Sequence, residues 1–464
     1  MSVAVLLSFC IISATLAYKK QPAISDEYKE SLQISDFRSN TAGDERALIL
    51  SDNKQALEER IRLIENAGSE IILSTFQLLS DSTGKVIMGA LNEAANRGVK
   101  VKILVDGTVY WPFMKLNPYY YLLNLNSNIE IKIYNKISLF MPWKSMGRMH
   151  DKYIIGDNRI YILGGRNTTD ISLGNGDSKV NFDRDVMVYN TNTEAPSETV
   201  RAIKKYFHTI WNAKESEFYE NRFFKADSKI VNKAKTDLKT CYQKYIGTMQ
   251  SEQPEEYESY TYPTRKISLI QNPIYYQAKE PTIFYTLTEL MKSAKKEVRL
   301  HTPYIISNDV MYNALKEIAR KTKNKISIMT NSVANNGNPF GAADYSTNKG
   351  RILETGVKIL EYEGGNSYHG KSILIDDNIS IIGSFNYDMR SVYLDTELML
   401  VIDSPEINKA LDSDMKEYEK QSREVVDEIN YKTNENIKPR EITSKCKKRI
   451  NFIKKYLSNL RYLF

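Results

Sequence analysis

One pattern occurs twice in this chain, and it constrains the fold more than any other feature. The first copy is Met149-His150-Asp151-Lys152-Tyr153-Ile154-Ile155-Gly156-Asp157, followed by Tyr161-Ile162-Leu163-Gly164-Gly165-Arg166-Asn167. The second is Tyr368-His369-Gly370-Lys371-Ser372-Ile373-Leu374-Ile375-Asp376, followed by Ile381-Ile382-Gly383-Ser384-Phe385-Asn386. His, Lys, Asp and Asn keep the same spacing in both copies. The segments ahead of each copy repeat as well. Residues 70–75 form a short apolar run. Residues 85–96 follow with Val86, Ile87, Ala90, Leu91 and Ala94 at helical spacing, and Gly98 stands where a helix stops. Strands are then expected at 101–106 and 129–134, the latter alternating cleanly. The second copy offers strands at 297–300, 325–330 and 357–360, with a helix over 310–321. A strand, a helix and a strand within so few residues make a βαβ unit with parallel strands. The expectation is an α/β protein of two similar halves.

The motif spacing has a chemical meaning. Residues i and i+2 of an extended segment project from one face, so His150 points with Lys152 and His369 with Lys371. Asp157 and Asp376 complete the motifs and so count among the catalytic candidates, although each stands where a turn begins, which favours a structural role. The returning strand ends in Gly-Gly or Gly-Ser and delivers Asn167 or Asn386. One His, one Lys and one Asn from each half can thus converge on a single tetrahedral anion.

A chain of 464 residues is long enough for two cores. Its hydrophobic (42%) and charged (26%) fractions suit a globular protein, and its net charge of +7 suits an anionic partner, either phospholipid or nucleic acid. Cys10, Cys241 and Cys446 are too few and too scattered for a disulfide framework, and no Cys/His cluster implies a metal. Residues 1–18 are apolar and uncharged, either a cleaved signal or a retained anchor, which points to export or membrane association. Residues 226–265 are polar and read as a helix plus a linker. Residues 440–464 carry one apolar stripe amid lysines, expected either to lie on an anionic membrane or to pack on their own domain.

The doubled pattern resembles the signature of the phospholipase D superfamily, His-x-Lys-x4-Asp followed by Gly-Ser/Gly-x-Asn. The resemblance runs from about residue 45 to 425. It implies two α-β-α sandwich halves, 45–225 and 266–425, with one active site at their interface and both halves in one chain. Met149-His150 with Gly164-Gly165-Arg166-Asn167 is similar to the cardiolipin synthase branch. The departures are Gly165, where serine is common, and Asp185, where glutamate is common. By resemblance, His150 is the nucleophile that forms a phosphohistidine and His369 the acid/base. Lys152, Lys371, Asn167, Asn386 and Ser384 hold the phosphate, and Asp185 and Glu397 orient the histidines. No cofactor or metal is implied. The expected substrate is a phospholipid with an alcohol or water as acceptor. A nuclease of the same superfamily and a non-catalytic anionic-lipid-binding protein are the alternatives. Beyond the motifs, His301 is either a pocket residue or a satisfied strand-end histidine, and His208 is structural. The aromatic stretches 110–121 and 139–144 read as loops, suited to lipid insertion or to capping the domain. Residues 335–339 read as a mobile loop.

Overall fold

The computed structural model describes residues 3–174, 179–249, 256–432 and 436–464. Helices α1 (Val3–Leu16) and α2 (Asp26–Ser31) precede the first half. That half runs β1 (Glu45–Leu50), α3 (Asn53–Asn66), β2 (Glu70–Thr75), α4 (Ser82–Asn96), β3 (Lys100–Asp106), α5 (Pro118–Asn124), β4 (Ile129–Tyr134), β5 (Tyr153–Gly156), β6 (Ile160–Gly164), α6 (Asp170–Leu173), β7 (Asp185–Asn190), α7 (Glu198–Trp211), β8 (Ser216–Phe218) and α8 (Lys229–Ile246). Next come α9 (Tyr257–Tyr260) and β9 (Tyr262–Pro263), and then the second half: β10 (Lys266–Gln271), α10 (Thr282–Lys292), β11 (Val298–His301), β12 (Ile305–Ile306), α11 (Asp309–Lys321), β13 (Ile326–Asn331), α12 (Pro339–Leu353), β14 (Lys358–Tyr362), β15 (Ser372–Ile375), β16 (Ile379–Gly383), β17 (Tyr387–Asp388), α13 (Met389–Tyr393), β18 (Leu398–Asp403), α14 (Pro405–Glu419) and β19 (Ser422–Glu424). Helix α15 (Ser444–Tyr456) follows.

The strands and helices expected from the repeat are all present. Helix α4 starts at Asp81, whose side chain accepts from Gly84 N, and is followed by Gly98 at φ +99°. Its apolar face, Val86, Ile87, Ala90, Leu91 and Ala94, is buried. Helix α11 starts at Asn308 in the same way and buries Met311, Leu315 and Ile318.

Two sheets result. One is ordered β8-β4-β3-β2-β5-β6-β7-β1-β9, the other β10-β18-β16-β15-β11-β13-β14-β19. Eight strands correspond: β8-β4-β3-β2-β5-β6-β7-β1 matches β19-β14-β13-β11-β15-β16-β18-β10. In each, three parallel strands meet an antiparallel block at the motif strand: β2 pairs β5, and β11 pairs β15. Each half has its own outer core beneath its helices. A third core lies between the sheets. It joins Ile72, Leu104, Ile155 and Leu163 of the first half to Leu374, Ile382 and Leu400 of the second, with α7 and α14 contributing Phe207 and Leu411. The two sheets therefore hold one another by apolar burial, with no linker needed to align them.

The segment read as a helix plus a linker contributes its helix to the first half. Helix α8 buries Val231, Ala234, Leu238 and Tyr245 in the core that α4 and α5 share. A side chain at Gly89 would strike the α8 backbone at Leu238, so glycine allows the close approach. At the other end, α15 rests on α12 through Ile450 and Ile453, which packs the basic helix on its own domain. Asn335 is buried and bonded to Asn331 and to Asn366 O, so the 335–339 segment is anchored at its start. Among the described residues, no helix is long and apolar enough to cross a membrane.

Candidate active site

Both histidines stand just before their motif strands, in extended segments that cross to the other half. His150 N donates to Thr396 O, and His369 N donates to Phe182 O. The bridges Met149–Thr396 and Phe182–Tyr368 repeat this crossing at equivalent points. Each imidazole therefore meets a carboxylate from the opposite half. His150 Nδ1 lies 2.9 Å from Glu397 Oε1, and His369 Nδ1 lies 2.6 Å from Asp183 Oδ2. In each case Nδ1 faces its carboxylate, the arrangement by which a carboxylate fixes a histidine tautomer; Nε2 of His150 remains for chemistry, and Nε2 of His369 lies 3.3 Å from Lys371 Nζ.

The expectation for Asp185 is corrected by this geometry. Asp185 touches neither histidine. It is buried between Arg60 Nη2 at 2.9 Å and Arg166 Nη1 at 3.1 Å. Strand register explains the shift. Gly164 faces Asp185, whereas the equivalent Gly383 faces Met399, so the partner of Glu397 is Asp183, two residues earlier on the same face. The resemblance of Asp185-Val186-Met187 to Glu397-Leu398-Met399 misleads because it is out of register by two. The second half fills the place of the Arg166–Asp185 ion pair with apolar Phe385 and Met399.

Gly165 fits this scheme. A Cβ there would fall on Asp183 Oδ1, so glycine is the residue that leaves Asp183 room to reach His369. Its counterpart Ser384, expected on phosphate, gives its hydroxyl to Glu397. Ser391 Oγ donates to the same carboxylate at 2.6 Å. Ser384 is thus a positioning group one step removed. Asp157 and Asp376 are also corrected as catalytic candidates. Asp157 accepts from Gly68 N, Ser69 N and Glu70 N at 2.8–2.9 Å, and Asp376 accepts from Lys295 N, Lys296 N and Glu297 N. Both adopt φ near +53°, so each closes a turn far along its strand from the histidine.

The lysines are buried beside the histidines. Lys152 Nζ donates to His150 O. Lys371 Nζ donates to His369 O and lies 2.6 Å from His369 Nδ1 and 3.7 Å from Asp183 Oδ2. Alternation holds in the extended segment. Asp151 turns away from the site to Tyr206, Thr396 and Ser74. The amide oxygens of Asn167 and Asn386 are buried and have no hydrogen-bond partner among the described residues, and Asn386 Nδ2 lies 3.3 Å from Tyr304 Oη. Phe76 packs edge-on to His150 with ring centroids 5.3 Å apart.

Burial governs the electrostatics. It pushes Lys152 down to about 7, with the charge of Lys371 adding to the effect, and lowers Lys371 as well. Burial lowers His150 well below the ordinary histidine value, and Lys152, Lys371 and His369 press it further. Each histidine takes its carboxylate from the opposite half, so the halves share one site. Glu397, also buried, is raised to about 8. Asp183 behaves oppositely. Burial would raise it, but Lys371 and His369 hold it below the usual carboxylate range. His369 is lowered by burial and Lys371, with Asp183 opposing. His369–Asp183 is accordingly the more ionic pair and His150–Glu397 the more neutral one.

The other histidines lie elsewhere. His301 is buried between Tyr368 Oη at 3.2 Å and Glu419 Oε1 at 2.9 Å, the satisfied strand-end alternative. His208 is exposed on α7. Among the described residues, no group of three His, Cys, Asp or Glu could hold a metal ion. Sequence reasoning missed Asp183 and also Arg184. The latter is buried and donates to Tyr368 Oη and Ser372 Oγ beside the second motif.

A family model described as cardiolipin synthase, PLD-like domain, matches residues 61–211 and 287–418, more than half of the chain. The chain belongs to this phospholipase D-like family. Both matched stretches contain one complete motif of the family. A Helicobacter pylori (strain 26695) protein of no stated function is 27% identical over 420 residues, covering 82% of this chain and 80% of that one. Cardiolipin synthase 1 of Staphylococcus aureus (strain MRSA252) is 28% identical over 353 residues, 75% of this chain and 62% of the synthase. Phosphatidylserine synthase of Haemophilus influenzae Rd KW20 shares the two-halved phospholipase D-like fold, with a TM-score of 0.65 at 13% identity over 98% of this chain and 99% of that one.

Proposed function

We propose that this chain is a phosphodiesterase that transfers a phosphatidyl group from a phospholipid to an alcohol or to water through a covalent phosphohistidine. The observation that carries the reading is the reciprocal pairing of two imidazoles with carboxylates of the opposite half, each beside a buried lysine. A phosphodiester repels nucleophiles, so a site for it must first neutralise its charge. Lys152 and Lys371 do this, and the arriving anion favours their charged forms against the cost of burial. Asn167 and Asn386 add neutral N–H donors from their side-chain amides.

The asymmetry of the pairs supports the assignment of roles. His150, the more neutral, attacks phosphorus through Nε2. The bond to the leaving alcohol breaks, and His369, whose protonated form Asp183 favours against burial and Lys371, gives that oxygen its proton. His369 then takes a proton from the incoming alcohol or water, whose oxygen attacks phosphorus. The P–N bond breaks and His150 is restored.

The test is incubation of the full chain with phosphatidylglycerol, phosphatidylethanolamine and single-stranded DNA in parallel, with glycerol present and products read by mass spectrometry. Cardiolipin or phosphatidic acid is expected. Peptides from an alkaline quench should carry a phosphatidyl adduct on His150. Cut DNA beside untouched lipid would move the reading to the nuclease branch.

A further inference from the structure

Three segments far apart in sequence form one exposed apolar surface at the mouth of the site. The first is α1, which exposes Leu7, Phe9, Ile11 and Leu16 around its circumference. The second is the loop after β4, where Leu139 is 77% and Phe140 91% exposed. The third is the turn after β3, with Trp111, Phe113 and Leu116 exposed. They are tied together. Cys10 Sγ donates to Leu139 O, α1 packs on the turn at Pro142–Lys144, and Trp111 Nε1 donates to Ile137 O at 3.2 Å. They are also tied to the chemistry. Both loops leave the ends of parallel strands, and Asp106, the last residue of β3, accepts from Met149 N at 2.8 Å beside His150.

Charge identifies the occupant. Lys115 and Lys144 lie over the rings of Trp111 and Tyr276 at 3.9 and 5.1 Å, while Lys136, over Tyr110 at 4.6 Å, is paired with Glu217 at 3.0 Å. Lys19 and Lys20 follow α1. Residues 1–25 contain no acid, and residues 107–149 contain only Glu130. Lysines set among Trp and Tyr at the edge of an apolar surface match the headgroup level of an anionic leaflet. The fourteen residues of α1 reach about 21 Å, short of the roughly 30 Å hydrocarbon core, so the helix is long enough to enter one leaflet and too short to cross the bilayer. We propose that this surface docks on an anionic phospholipid leaflet and sets the active-site mouth against the headgroups.

The inference builds on the phospholipid reading above, and vesicle binding separates the two because it is read without turnover. The full chain should float with phosphatidylcholine vesicles containing one quarter phosphatidylglycerol, and less with phosphatidylcholine alone or in high salt. Leu139→Glu with Phe140→Glu should lower the bound fraction at least tenfold while hydrolysis of monomeric dihexanoyl phosphatidylglycerol stays within twofold. In the wild type, lipids with brominated chains should quench tryptophan fluorescence. Trp111→Phe with Trp143→Phe, which leaves buried Trp211, should abolish that quenching. Absence of quenching, flotation indifferent to the glutamates, or a dimer that the glutamates dissociate would each overturn the proposal.

Discussion

His150 and His369 share a motif but not an environment. Glu397 is raised toward neutrality by burial, while Asp183 is held anionic by Lys371 and His369. His369→Ala should therefore lose roughly 10³-fold or more on a natural lipid but recover much of its rate for forming the intermediate on a nitrophenyl phosphodiester, whose leaving group needs no proton. His150→Ala should lose both activities, and equal rescue of the two variants in a stopped assay would reverse the roles. Asp183→Asn should lower kcat by roughly 10²-fold with little change in KM, whereas Asp185→Asn should act on thermal stability through Arg60 and Arg166. The lysines give a pH dependence. Folding lowers Lys152 to about 7 and Lys279, buried against Leu394 O, to about 7, from roughly 10.4 in the unfolded chain. Between those values the unfolded chain binds more protons, so stability present above about pH 10 is lost as pH falls toward 7. Lys152→Met should raise stability at pH 7 by about 1–3 kcal/mol, flatten that slope in denaturant titrations at several pH values, and abolish turnover.

At the scale of elements, the sequence displays periodic features and hides register. Strands β2, β3 and β4 and helix α4 were legible because alternation and helical spacing follow from burial on one face. Glu397, which the sequence singled out, lies 2.9 Å from His150 Nδ1. Asp183 was not, because two carboxylates two residues apart share a face and only the pairing of β6 with β7 selects between them. The role of Ser384 was hidden too, since a hydroxyl beside the motif does not reveal that Glu397 needs a donor. Asp157 and Asp376 show the limit from the other side. Their turn context predicted structural work, and each gathers three backbone N–H groups at a strand start. Asp157→Ala should cost about 2–3 kcal/mol in chemical denaturation, from lost charge-assisted bonds and a left-handed backbone position, while kcat of the folded enzyme is preserved. A helix was expected in the segment that holds α8, but its place in the first core escaped, because polar composition hides a four-residue stripe that only α4 and α5 complete.

For the whole molecule, the exchange of carboxylates and the central core make the halves interdependent. Residues 1–249 or 256–464 expressed alone should show no turnover, and the two co-expressed should regain it, read on the lipid assay after co-purification. Activity from one fragment would contradict the shared site.

The crossed carboxylates also bear on how such a chain can change over generations. A substitution at Glu397 is felt by His150 and one at Asp183 by His369, so the seam between the copies admits only matched alterations. Away from the seam each copy is at liberty, and the twin positions Arg166–Asp185 and Phe385–Met399 already record one such parting, an ion pair in one copy and a greasy contact in the other. Ancestry in a duplicated protein of this kind is preserved where the copies lean on each other and erased where they do not.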